Sequence, residues 1–320
     1  MPIPVTLIAI IVLFYVLGKG ADLIVFGIRD VSKKIGVRVF VLGIVLGFFT
    51  SVPELSIAAH AIVTNLPQLS VGNLIGGIFV LFGFILGGSI AVERTVVTSR
   101  ILQAFIPIAL FLFLPFLLAF DGVLNALDGW IMIIGYVLLV TFLYLRFERE
   151  GERVPTTLRD GIARDIFWII AGIILVGAAS YALVNLTTAL LIQFSVPTFL
   201  LGLIVFSLGT NLPEIFVTLR SWSKHIRELS LSNLLGSALA NIFIIGLTAA
   251  SRPVPFTIDI YFFLLAALMA TLLLALVFFA YTRERFTRAE GIALLCLYAL
   301  FLILHSGFLV AACAGVVRCN

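Results

Sequence analysis

Two short blocks of this chain occur twice at one fixed offset. Thr50-Ser51-Val52-Pro53-Glu54 returns as Thr210-Asn211-Leu212-Pro213-Glu214, and Ser70-Val71-Gly72-Asn73-Leu74-Ile75-Gly76-Gly77 returns as Ser230-Leu231-Ser232-Asn233-Leu234-Leu235-Gly236-Ser237. Both pairs lie 160 residues apart, the mark of an internal duplication. Each copy sets a carboxylate beside a proline inside an apolar run long enough to span a bilayer, where an ionised side chain costs about 3 kcal/mol or more. A carboxylate kept there twice calls for a counter-charge, and a cation is the natural one.

The rest of the sequence is of the same kind. With 62% hydrophobic and 11% charged residues, and a mean hydropathy of +1.25, the chain has too little polar surface to close a soluble globule. It reads as an all-α polytopic membrane protein. Apolar runs of about 20 residues predict ten spans, at 3–28, 38–64, 69–92, 101–120, 125–145, 166–192, 197–219, 229–250, 256–281 and 289–308. Ten spans divide as five per copy, and an odd number of crossings starts the second copy on the opposite side of the membrane. Two inverted five-helix repeats are therefore expected. Residues 1–145 form the first repeat, 146–165 a cytoplasmic linker carrying Pro155, 166–308 the second repeat and 309–320 a C-terminal tail.

Charge placement orients this array. With the N-terminus outside, the loops at 29–38, 94–100, 146–164, 220–227 and 283–288 are cytoplasmic and hold 17 of the 20 lysines and arginines. Arg252 and Arg318 remain outside and Lys19 lies in the first span, a strong positive-inside bias that predicts two extracellular termini. The pI near 9.1 thus reports topology and implies no nucleic-acid partner. The first apolar run lacks a basic leader and continues past signal length, so no cleavable signal peptide is expected. Cys296, Cys313 and Cys319 make neither a disulfide framework nor a metal pattern, and no nucleophile–base pair or nucleotide loop points to an enzyme or a cofactor.

The prolines have a mechanical consequence. Pro53 and Pro213 each remove a backbone donor, which frees carbonyls around Phe49–Thr50 and Gly209–Thr210. Thr50 and Thr210 sit four residues before the glutamates, on the same helical face, so each hydroxyl is expected beside the glutamate of its own block. Oxygen ligands with two carboxylates suit a hard ion such as Ca²⁺ or Na⁺, whereas zinc or copper recruits His or Cys. His60, six residues after Glu54, is off that face and reads as a helix-end residue. Asn73, Asn233, Gly72, Gly76 and Gly236 are open to two readings, helix caps and close packing or ion coordination. Ser237 and Asn241, four apart on one face, are better ligand candidates. Lys19 and Asp22, three apart, read as a local ion pair or as snorkelling side chains.

Paired Thr-x-x-Pro-Glu and Gly-Asn-x-x-Gly-Ser blocks in a five-plus-five array resemble the alpha repeats of the calcium:cation antiporter superfamily, with the prokaryotic sodium/calcium exchangers nearest. Gly20-Ala21-Asp22, Asp121-Gly122 and Asp128-Gly129 are similar to that family as well. The resemblance implies a secondary antiporter of the prokaryotic cell membrane that exchanges Ca²⁺ for Na⁺. Its central site is made by Glu54 and Glu214 with neighbouring hydroxyls and carbonyls, and access alternates as the long first and sixth helices slide. Thr50 and Thr210 would join the glutamates on Ca²⁺, with Ser51 and Asn211 beside them, while Ser237, the Thr210 region and Asn241 offer oxygen for a monovalent ion.

This chain departs from the family's pattern at Gly77 and Leu81, where Ser and Asn are usual, and at Asn241, where Asp is usual. Its first block also sits seven residues after Gly43, whereas the second sits eight after Gly202. Fewer oxygens in the first repeat leave fewer monovalent subsites. A proton-coupled exchanger of Ca²⁺ or another cation, in which buried carboxylates alternate between metal and H⁺, and a relative that has lost exchange remain the other readings.

Overall fold

In a computed structural model, the described residues are 3–35, 39–92, 99–149, 161–191, 201–224, 226–282 and 286–313. They are almost wholly helical. The first expected span is α1 (Ile3–Ile35). The second is broken in two, α2 (Val39–Thr50) and α3 (Val52–Val63), with Ser51 between them. The third runs as α4 (Pro67–Phe79), a π-helical turn at Val80–Leu86 and α5 (Gly87–Val92). Then come α6 (Ser99–Leu118), α7 (Ala126–Arg149) and α8 (Ile162–Leu191). A second π-helical turn at Leu201–Phe206 leads into α9 (Ser207–Thr210) and, after Asn211, α10 (Leu212–Ser223). The chain ends with α11 (Arg227–Ser251), α12 (Ile260–Thr282) and α13 (Arg288–Cys313).

Seven stretches among the described residues are long and apolar enough to cross a membrane: Val39–Val63, Pro67–Val92, Ala126–Arg146, Ile162–Ala179, Glu228–Ser251, Ile260–Tyr281 and Arg288–His305. The protein is an integral membrane protein. Two boundaries differ from expectation. Helix continues through Arg149 and resumes at Ile162, inside the expected linker, whose residues 150–160 lie outside the described residues. The last helix extends to Cys313 because the apolar run continues past residue 308, leaving 314–320 outside the described residues.

The chain forms two compact units, each drawing on both halves of the sequence. The first comprises Met1–Pro53, Phe142–Gln193 and Gly209–Ser237. Lipid tails are as apolar as leucine, so helices in a bilayer associate through close packing at small residues. Here α1 runs antiparallel along α8. A Cβ at Gly20 would lie 3.1 Å from the Gly172 carbonyl, and one at Gly27 would lie 3.1 Å from the Asp165 carbonyl. At the end of this seam Lys34 pairs with Asp165 at 2.6 Å. The core behind it contains Ile24, Ile28, Leu46, Val176, Val217 and Leu229.

The second unit comprises Glu54–Thr141, Phe194–Leu208 and Ala238–Asn320. Its third-span helix packs on α13 through Gly83 against Tyr298 and Gly87 against Leu294, and Phe79 stacks on Phe301 with centroids 4.1 Å apart. A two-residue antiparallel ladder pairs β1 (Val123–Leu124) with β2 (Val254–Pro255). The Asp-Gly pairs singled out from the sequence serve these joints. Gly122 takes a φ of +93°, open to glycine, and Asp128 caps α7 by accepting from Asn125 N at 2.8 Å while the Asn125 side chain caps Leu127 N. Gly129 lets α7 meet the backbone of α11 near Gly246 and Ala250.

Candidate cation site

The helix breaks are the local cause of the site. Each proline is the second residue of the helix it opens, Pro53 in α3 and Pro213 in α10, a position where a missing N–H costs nothing to that helix. The cost falls on the helix before, which stops at Thr50 and at Thr210. Both glutamates therefore stand in the first turn of a short helix, where backbone donors favour negative charge. Glu54 is 1% exposed and Glu214 is fully buried.

In the first unit four oxygens converge. Thr50 Oγ1 donates to Glu214 Oε1 at 2.8 Å and Ser237 Oγ donates to the same oxygen at 2.9 Å. The two hydroxyl oxygens are 3.4 Å apart. The Gly47 carbonyl lies 3.2 Å from Thr50 Oγ1 and 3.1 Å from Ser237 Oγ, and it also faces Ser51 Oγ at 2.9 Å. Each hydroxyl has one proton, so neither Thr50 nor Ser237 can donate fully to Glu214 and to Gly47 at once. Glu214 Oε2 is buried with no hydrogen bond from any described residue. A carboxylate, two hydroxyls and a carbonyl crowded beyond what their own protons satisfy form a donor set that a hard cation fits.

Close backbone approach assembles it. A Cβ at Gly47 would lie 2.5 Å from the Asn233 carbonyl oxygen and 2.6 Å from the Gly236 carbonyl carbon, and one at Gly236 would lie 2.8 Å from Ile44 Cα. Helices α2 and α11 thus touch at bare backbone, and only there can Ser237 reach across to Gly47.

Several sequence expectations are corrected here. The break at Ser51 puts Thr50 on a different helix from Glu54, and Thr50 bonds Glu214 of the other copy. The carbonyl that joins the cluster is Gly47's, two residues upstream of the carbonyls expected to be freed. Its signal was the glycine itself, which marks close approach. Asn73 and Asn233 are not caps, because their helices begin six residues earlier, at Pro67 and Arg227, and Gly76 and Gly236 serve packing against Leu203 and Ile44. Asp22 pairs with Arg220 on α10 at 3.3 Å, while Lys19 lies over the Tyr15 ring. That Asp22–Arg220 bridge between α1 and α10 was not legible, since nothing in the spacing joins residues so far apart.

The remaining candidates are located singly. Thr210 and Asn211 are buried at the second break, Ser51 bonds back to Gly47, and Asn241 donates to the Leu74 carbonyl at 3.1 Å while its Oδ1 is buried without a partner among the described residues. Leu81 is fully buried inside the first π-helical turn. His60 is exposed in the last turn of α3, consistent with a helix-end residue.

The sequence profile of the sodium/calcium exchanger protein family matches residues 5–145 and 165–307. The chain belongs to this family. Among its relatives, the sodium/calcium exchanger MaX1 of Methanosarcina acetivorans is 26% identical, with 89% of this chain and 94% of that protein aligned. The putative antiporter CaxA of Alkalimonas amylolytica is 25% identical, covering 86% and 91%. Two solved structures of the sodium-calcium exchanger NCX_Mj share this chain's fold. One, soaked with 2.5 mM Na⁺ and 1 mM Sr²⁺, has a TM-score of 0.81 at 23% identity and covers 95% of this chain and 99% of its own. The other, with zero Na⁺ and Ca²⁺, has a TM-score of 0.77 at 23% identity, covering 92% and 97%. The calcium:cation antiporter resemblance is thereby a family membership.

Proposed function

We propose that this exchanger is a secondary antiporter that moves Ca²⁺ against Na⁺ by alternating access, with Glu54 and Glu214 as carboxylate ligands of the transported cation. The observation that carries this reading is the Glu214 cluster, in which a fully buried carboxylate shares its Oε1 with two hydroxyls and leaves Oε2 for a ligand. Thr50, Ser237 and the Gly47 carbonyl supply neutral oxygens to that ion, and Ser51, Thr210, Asn211 and Asn241 are further oxygen donors. Two carboxylates just neutralise one divalent ion, because Asn241 carries no charge. We further propose ten crossings in two inverted five-helix repeats with both termini outside; the matched family stretches, 5–145 and 165–307, support a division at the linker.

The test is Ca²⁺ uptake into vesicles of purified protein under an imposed Na⁺ gradient. Na⁺-driven uptake that disappears in Glu214→Gln is expected, and uptake that survives that substitution rules the site out. A proton-coupled reading draws on the same cluster, since two hydroxyls beside one carboxylate oxygen also accommodate a protonated carboxyl. Uptake driven by a pH gradient and indifferent to Na⁺ would select it.

A further inference from the structure

The α10–α11 hairpin holds more buried polar groups than the Glu214 cluster uses. On α10, Glu214, Thr218 and Ser221 follow one another at spacings of four and three residues, one helical face, and none is more than 2% exposed. On α11, Ser230, Asn233 and Ser237 do the same at three and four, none more than 3% exposed. Two hydrogen bonds tie the stripes together, Ser237 to Glu214 at 2.9 Å and Ser230 Oγ to Thr218 Oγ1 at 3.3 Å. Ser221 Oγ and both side-chain polar atoms of Asn233 are buried with no hydrogen-bond partner among the described residues. A helical serine ordinarily bonds the carbonyl four residues back, as Ser207 and Ser232 do here. Ser221 does not. An amide whose donors and acceptor are all unmet is costly in a dry interior, and water or an ion is what satisfies such a group.

The duplication supplies a control. Subtracting 160 from Thr218 and Ser221 gives Ala58 and Ala61, both buried on α3. The repeat therefore accepts alanine at these two places, and alanine is the better helix former. The hydroxyls are not required by helix packing.

We propose that the α10–α11 hairpin carries a hydrated track, lined by Thr218, Ser221, Ser230 and Asn233, along which a monovalent cation passes between Glu214 and the hairpin turn. This rests on the reading of Glu214 as a cation ligand. Its ligands are neutral hydroxyl and amide oxygens, which suit a singly charged ion keeping part of its water shell, whereas a divalent ion calls for carboxylates. Ser221 marks the mouth, because its carbonyl accepts from Ile226 N across the turn at 2.8 Å. Two cationic side chains near that mouth are engaged elsewhere, Arg220 with Asp22 and Lys224 over the Phe26 ring at 4.7 Å.

The test uses single cysteines in full-length protein with Cys296, Cys313 and Cys319 replaced by serine, and a membrane-impermeant cationic thiol reagent. Ser221→Cys and Thr218→Cys should react at least tenfold faster than Ala58→Cys and Ala61→Cys, and Na⁺ should slow the reaction of Thr218→Cys severalfold. Equal rates at all four positions, or no protection by Na⁺, overturn the track. As a second arm, the double variant Thr218→Ala/Ser221→Ala, which copies the first repeat, should lower the rate of Na⁺-driven uptake about tenfold; an unchanged rate overturns it. Labelling is read whether or not Glu214→Gln stops transport, so a failed track and a failed carboxylate site give different results.

Discussion

At the scale of single residues, the site turns on how one carboxylate is held. A hydrogen bond to a charged group contributes about 1.5–3 kcal/mol, so Ser237→Ala should weaken cation affinity by roughly 10- to 100-fold, read as a raised half-saturation in vesicle uptake. Glu54→Gln and Glu214→Gln should each reduce uptake to background with expression intact. Gly77→Ala is expected to act through packing alone, while Gly77→Ser with Leu81→Asn, which restores oxygens to the first repeat, should increase the Na⁺ dependence of uptake. A Hill coefficient near three for Na⁺ in the unmodified protein would refute the account of missing ligands. Thr50, Glu214 and Ser237 were legible because the blocks repeat and their side chains carry oxygen. Gly47 was legible only as a point of close approach, since the oxygen it contributes is a backbone atom. The partnership of Thr50 with Glu214 was not legible, because helical periodicity says nothing once a helix stops between two residues.

At the scale of elements, backbone contact decides whether the cluster exists. Gly236→Ala drives a Cβ toward the backbone of Ile44, and overpacking of this kind costs about 1–3 kcal/mol. Gly88, whose Cβ would meet nothing nearer than Leu295 Cδ2 at 4.0 Å, is the contrast. Thermal unfolding in detergent should show Gly236→Ala several degrees lower and Gly88→Ala unchanged or slightly higher, because alanine favours helix. The Asp22–Arg220 bridge should behave as a pair. Asp22→Arg or Arg220→Asp alone should impair uptake, and the double exchange should recover most of it; failure to recover would mean that the two act separately. The extra residue between Gly202 and Thr210, visible in the sequence only as a spacing of eight against seven, coincides with the π-helical turn at Leu201–Phe206. Winding one residue too many into a wider turn absorbs the insertion without moving the break. The turn at Val80–Leu86 has no such spacing to announce it.

At the scale of the whole chain, hydropathy located the helices well because a bilayer leaves backbone polar groups no alternative. It did not reveal the compact units, which interleave the two halves where simple reading would keep each half together. Helix pairing in lipid is set by small residues on matching faces, and neither face of α1 nor of α8 declares its partner. The proposed topology has a direct check: a protease site placed within 150–160 should be cut only from the cytoplasmic side, and tags on either terminus should react only from outside.

The seam between α1 and α8 has one more consequence. Ordinary helix pairs lock because ridges of side chains sit in grooves, and to move lengthwise they must climb out. This pair locks in the same way: Gly20, Gly27 and Gly172 are holes filled by Val176, Ile169 and Ile24 of the facing helix, and Lys34 with Asp165 closes the end of the seam. Two helices keyed together at three points and clamped at one end behave as a single rod, so Gly172→Val, which plugs one hole, should part the rod and lower the unfolding temperature in detergent by several degrees.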